Sequence, residues 1–242
     1  LRAKAHAAMK RYEEVVADCS NILQQNPSDV SARYRRADAN TQLRQWKDAL
    51  EDLTECVKLE PENPVAWSNR ACVHRQLGQL ENALDDYSQA IRLDPNRYSV
   101  WHLRGHVYED LQQWDETLSD MSKAIELRPD EAAVRRCRGL VYARRSQWSE
   151  ATEDFKRAIE LRPAANFRDE YELALVQLAA ENTAGYQQAC GDLLNQFGKT
   201  TDSSAASFAA WTCALSAASD VAWSEVVALA ERAVKTAGGD VF

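Results

Sequence analysis

The stretch ALDDYSQAIRLDP, residues 83–95, is patterned as a helix and stops at a proline, and its ending recurs as AIELRP at 124–129 and again at 158–163. Proline closes a helix because it has no amide hydrogen to donate and its ring collides with the preceding turn. Pro27, Pro61, Pro95, Pro129 and Pro163 follow one another at intervals of 34 residues. A fixed interval of this length marks a repeat protein built of helical units. With each proline set at position 32, whole units cover 30–63, 64–97, 98–131 and 132–165. A truncated unit precedes them, with Leu1 at position 6.

Other positions fall into line in that frame. Position 8 is Ala3, Ala37, Ala71, Gly105 and Gly139, and position 20 is Val15, Ala49, Ala83, Thr117 and Ala151. Small residues recur where two helices must approach closely. Tyr87, Met121 and Phe155 stand at position 24, the large side chains for the facing slots. Position 17 is Tyr12, Trp46, Leu80, Trp114 and Trp148.

This alternation, closed by proline, resembles the tetratricopeptide repeat, with WSNRACVHRQLGQLENALDDYSQAIRLDP (67–95) and WHLRGHVYEDLQQWDETLSDMSKAIELRP (101–129) as its best copies. The resemblance implies an all-α fold, a right-handed superhelical solenoid of stacked antiparallel helix pairs. It covers residues 1–165 as five units in register, the first truncated. Residues 166–242 keep a helical pattern without the register and are expected to add two divergent hairpins, one at 167–197 and one with Trp223, Ala230, Ala233 and Gly238 at repeat-like places. GKTTDSS (198–204) reads as a loop between them. The segments YQQACGDLLNQFG (186–198), AAWTCAL (209–215) and VVALAERAV (226–234) also look like the repeat regions that accompany bacterial serine/threonine protein kinases. The N-terminal residues carry no helix cap, which suggests a fragment of a longer chain.

Composition excludes several functions. A formal charge of −8 argues against a general nucleic-acid binder. The six cysteines show no paired spacing for zinc or a disulfide framework, so a reducing, cytoplasmic setting is expected. AASFAAWTCALSAAS (205–219) is too short and too hydroxyl-rich to span a membrane, so no membrane insertion is expected. Glycine-rich phosphate loops, HExxH and a nucleophile elbow are all missing. No enzyme, and no cofactor, is expected.

Two sets of residues stand out. Position 7 is arginine in every unit (Arg2, Arg36, Arg70, Arg104, Arg138) and position 23 is aspartate in every unit (Asp18, Asp52, Asp86, Asp120, Asp154). Position 7 flanks the stripe that packs on the second helix, so each arginine should reach a carboxylate of its own or a neighbouring unit. A structural ion-pair ladder is the expectation, because a binding site is rarely copied into every repeat.

The second set faces away from the packing stripe, at positions 2, 5, 6, 9, 12 and 13, where stacked units would line a concave groove. The second unit offers Tyr34, Arg35, Asp38, Thr41 and Gln42; the third offers Asn69, Cys72, Arg75 and Gln76. His102, Leu103 and His106 follow in the fourth, and Arg136, Leu140 and Arg144 in the fifth. Arg35, Asn69, Arg75, His102, Leu103, His106, Arg136, Leu140 and Arg144 are the candidate binding residues. His102 and His106 have ligand spacing, yet solvated imidazoles are the simpler reading and no metal site is expected. Of the carboxylate clamp found in some proteins of this repeat family only Asn69 matches, so binding of a chain terminus is not implied. Four arginines against three acids leave the groove a net charge of +1. A non-catalytic scaffold holding a protein or peptide segment with apolar and acidic residues is therefore expected; the alternative is a self-association or regulatory module whose groove is filled by its own flanking segment.

Overall fold

The computed structural model describes residues 2–161, 167–197, 202–215, 226–228 and 230–231. Two compact units divide the chain, Leu1–Leu127 and Arg128–Phe242. The first holds α1 (Arg2–Gln25), α2 (Val30–Gln42), α3 (Trp46–Leu59), α4 (Pro64–Gln76), α5 (Leu80–Leu93), α6 (Tyr98–Asp110) and α7 (Trp114–Leu127). The second holds α8 (Ala132–Arg144), α9 (Trp148–Leu161), α10 (Phe167–Ala179), α11 (Thr183–Phe197) and α12 (Ser203–Ala214). The fold is all-α, and among the described residues there is no strand. No helix among them is long and apolar enough to cross a membrane.

Helix bounds repeat with the sequence period. The leading helices α2, α4, α6 and α8 each have 13 residues, and the following helices α3, α5, α7 and α9 each have 14. A single left-handed residue turns the chain between them: Arg44 (φ 59°), Gly78 (73°), Gln112 (59°) and Ser146 (57°). The next amide then reaches back to a carbonyl of the helix just ended, Gln45 to Asn40 at 2.8 Å and Gln79 to His74, Gln113 to Tyr108 and Gln147 to Tyr142 each at 2.9 Å. These bonds satisfy carbonyls that a helix end otherwise leaves open.

The proline does more than stop a helix. Its carbonyl accepts a hydrogen bond from position 4 of the next unit: Arg33 to Pro27 at 2.7 Å, Trp67 to Pro61 at 2.8 Å, Trp101 to Pro95 at 2.9 Å and Arg135 to Pro129 at 3.3 Å. Tryptophan and arginine substitute for one another there because either can point an N–H at that oxygen. Within each hairpin the core is the expected small-on-large contact. Tyr87, Met121 and Phe155 are fully buried, as are Ala49, Ala83, Thr117 and Ala151. A methyl group added at Gly105 would lie 3.4 Å from Met121 Cγ, and one at Gly139 would lie 3.3 Å from the Phe155 ring. In these two hairpins the position-24 side chain lies directly against the position-8 glycine.

Two departures from the expected layout appear. The truncated first unit is not a hairpin, since α1 runs unbroken from Arg2 to Gln25. The second departure is milder. Glu181 (φ 56°) is the turn residue of the α10/α11 hairpin and stands 35 residues after Ser146. One inserted residue therefore separates this hairpin from the strict 34-residue interval. Of the final divergent hairpin, α12 is described, while Trp223, Ala233 and Gly238 lie outside the described residues, as does much of the loop expected at 198–204.

Candidate binding groove

Among the described side chains, each ladder arginine holds the aspartate of its own unit, 16 residues on, with two parallel bonds. Arg36 meets Asp52 at 2.8 and 2.7 Å, Arg70 meets Asp86 at 2.7 and 2.7 Å, Arg104 meets Asp120 at 2.8 and 2.8 Å, and Arg138 meets Asp154 at 2.7 and 2.8 Å. Arg36 and Arg104 also donate to Ser20 and Ser88, each at 2.9 Å, and so tie their unit to the one before. Aromatic faces shield the cations: Arg70 lies 5.0 Å from the Trp67 ring, Arg104 5.1 Å from Trp101, and Arg138 5.7 Å from Tyr142. Burial opposes the charge of Arg104, yet the bonds to Asp120 carry its pKa above the ordinary value. These bonds engage the ladder within its own hairpins, which suits a structural role. The side chain of Arg2 lies outside the described residues.

With those arginines committed, the leading helices of the first unit turn their other face to a groove of about 870 Å³ between α2 and α4. Its wall is Tyr34, Asp38, Thr41 and Gln42 from α2, with Asn69, Cys72 and Gln76 from α4, over a floor of Ala37, Leu53 and Val73. These are positions 5, 9, 12 and 13 of one unit and 6, 9 and 13 of the next. Helical spacing puts them on one face while positions 8 and 10 stay in the core. Two wall residues are held from behind. Tyr34 donates to Glu60 at 3.4 Å and accepts from Asn63 at 3.5 Å, and Cys72 shares a 3.0 Å hydrogen bond with buried Tyr87. Burial raises the Tyr34 and Cys72 pKa values, so both stay neutral hydrogen-bonding groups rather than nucleophiles.

The candidate residues separate into several environments. Asn69 is exposed in the groove wall and Arg35 is exposed on α2. Arg75 is bound in two places to Asp110 of α6, at 2.6 and 3.1 Å, so the cation counted towards the groove is neutralised inside the protein. His102 and His106 stack with ring centroids 4.6 Å apart, and His106 Nδ1 lies 3.0 Å from Glu109. Leu103 packs, half-buried, on the Tyr87 and Val107 cluster. In the second unit Arg136 is 3.4 Å from buried Asp169, and Leu140 packs half-buried on Phe155 and Val176, while Arg144 is exposed. Leu140 faces the next leading helix, so it is not the open anchor expected of position 9. Tyr34, Asp38, Gln42 and Gln76 carry more of the groove than the arginines singled out from sequence. Their signal was position in the frame, not charge.

Comparison with known proteins agrees with this frame. One tetratricopeptide repeat model matches residues 64–97 and a second matches 102–166. No curated protein matches the chain. Among solved structures, the C-terminal part of a TPR repeat-containing protein from Cytophaga hutchinsonii is 17% identical, with 99% of each chain covered and a TM-score of 0.73. YrrB, described as a TPR protein with an unusual peptide-binding site, is 17% identical over 75% of this chain and 93% of its own, with a TM-score of 0.60. MamA from Desulfovibrio magneticus is 16% identical over 69% of this chain and 94% of its own, with a TM-score of 0.62. At such identities the likeness is one of fold. Residues 64–97 and 102–166 are tetratricopeptide repeats, set in the 34-residue frame that the prolines mark.

Proposed function

We propose that the protein is a non-catalytic scaffold that holds an extended peptide segment of a partner in the groove between α2 and α4. The groove itself carries this reading, with its amide-rich wall above an apolar floor. An extended segment presents one N–H and one C=O per residue, and each must find a partner when water is excluded. Gln42, Asn69 and Gln76 both donate and accept, so they can read a main chain irrespective of its side chains. Leu53 and Val73 below them offer a place for one apolar side chain. Asp38 and Arg44 are the charged lining residues, one of each sign, so affinity here depends weakly on salt. The six cysteines are free thiols, which suits a reducing, cytoplasmic setting.

The test is a random-peptide selection on the protein, followed by fluorescence anisotropy of the selected peptides. Asn69→Ala and Gln76→Ala should each weaken binding about tenfold by leaving a peptide polar group unpaired. Glu116→Lys on α7 should leave it unchanged. Equal affinity for the wild-type chain and both groove variants overturns the reading. The alternative, a regulatory region of a larger signalling protein such as a kinase with its groove filled by its own flanking segment, predicts crosslinks from that segment into α2 and α4 of a longer chain.

A further inference from the structure

A second cleft, of about 500 Å³, opens in the second unit among α9, α10 and α11. Its position in the repeat is informative. Since α10 starts 35 residues after α8, Leu173 takes the place of Arg138 and Ala189 that of Asp154. Glu170 takes the place of Arg135, and Gln177 that of Tyr142. In the α2/α3, α4/α5, α6/α7 and α8/α9 hairpins this place is filled by a guanidinium doubly bonded to a carboxylate. In the α10/α11 hairpin both ladder partners are gone, and Leu173, Ala189, Glu170 and Gln177 line an open cleft instead.

What replaces the lost pair is a carboxyl group with no ion-pair partner among the described residues. Glu170 is only 6% exposed, and its Oε2 has no hydrogen-bond partner among the described residues. Burial pushes its pKa up, with Asp169 and Asp192 adding to the rise and Gln196 opposing it. Gln177 is pinned by a bond to Thr152 at 2.7 Å and one from Asn182 at 2.7 Å. A methyl group at Gly185 would lie 2.3 Å from its Oε1, so glycine is what lets α11 approach. Lys156, Glu160 and Asp192 complete the charged lining, which carries a net charge of −2 when Glu170 is ionised. Ile159, Leu173 and Ala189 supply an apolar wall for a methylene stem.

We propose that this cleft binds an alkylguanidinium group, the head of an arginine side chain, supplied from outside to the place where the preceding hairpins carry their own. The site lies apart from the α2/α4 groove and does not depend on it. The same chemistry is offered by an arginine of a partner protein and by a free small cation such as agmatine.

The experiment is an NMR titration of the whole chain with N-acetyl-arginine methylamide and, separately, with the citrulline analogue, a neutral isostere. Saturable shifts should fall in α9, α10 and α11 for the arginine compound, with the citrulline compound and the Glu170→Gln variant each weaker by about tenfold or more. Leu173→Arg with Ala189→Asp should rebuild the internal pair, raise the melting temperature and remove the saturable response. The proposal is overturned if citrulline binds as well as arginine, if Glu170→Gln has no effect, or if nothing saturates by about 10 mM. A saturable response that survives in the stabilised, refilled variant also overturns it. An arginine-containing pentapeptide that outcompetes agmatine assigns the source to a protein; agmatine binding as tightly or more tightly assigns it to a free cation.

Discussion

Removing Arg104 should be among the most damaging single changes in the repeat frame, and a double-mutant cycle with Asp120 measures why. The pair makes bonds of 2.8 and 2.8 Å, and its side chains are 15% and 4% exposed. Arg104→Ala strands the aspartate, and breaking such a buried pair from one side costs about 3–5 kcal/mol. Loss of the bond to Ser88 and of stacking on Trp101 and Tyr108 adds to this, each by roughly 0.5–1 kcal/mol. Asp120→Ala strands the arginine instead, but that side chain is longer and can turn towards water. The Arg104→Ala/Asp120→Ala double variant removes both charges, so its loss should fall short of the summed singles by roughly 0.5–3 kcal/mol. Urea denaturation followed by far-ultraviolet circular dichroism gives all four stabilities. Additive losses would refute the pairing argument. If Arg104→Ala kept its stability and lost only peptide affinity, the ladder would be a recognition surface.

Three more perturbations test other parts of the frame. Gln112→Gly should stabilise by about 1 kcal/mol in thermal denaturation, because it relieves a left-handed side chain at a turn where Gly78 already serves. Gly105→Ala should gain up to about 1 kcal/mol of helix propensity, since its new methyl meets the flexible Met121, whereas Gly139→Ala should gain less against the rigid Phe155 ring. Glu170→Gln should stabilise the protein at pH 7 and lose that advantage near pH 4. The folded carboxyl has a raised pKa, so ionisation penalises the folded state as pH climbs from the unfolded pKa through the folded one, and no penalty exists below both. A pH series of melting curves that stays parallel for the two proteins would contradict this.

What was legible in the sequence was whatever a single residue type enforces. Proline ends a helix in every context, so Pro27 to Pro163 gave the period directly. Arg at position 7 and Asp at position 23 repeat because a buried carboxylate needs a forked donor. The turn residue was not legible, since Arg44, Gly78, Gln112 and Ser146 share only a backbone angle. For the same reason nothing in LRAKAHAAMKRYEE announced that α1 would run straight through its turn position at Lys10. Arg75 could not be discounted from sequence either. Its partner Asp110 is 35 residues away and is reached only once α4 and α6 are placed in space.

A single inserted residue takes the α10/α11 hairpin, expected at 167–197, out of the 34-residue register, and this changes where function should be sought. In a strict repeat, any feature present in every unit is constrained first by stacking, as the ladder and the bonds to the proline carbonyls are. Sites with their own chemistry must then lie where a unit departs from the frame. Asn69 stands where other units carry leucine, arginine or cysteine, and Leu173 with Ala189 abolish the one charge pair that the earlier hairpins keep. The second case is the stronger, because the loss is not repaired by a larger apolar side chain at either place. Glu170 is left buried with an open carboxyl oxygen, an arrangement that costs stability unless something cationic meets it.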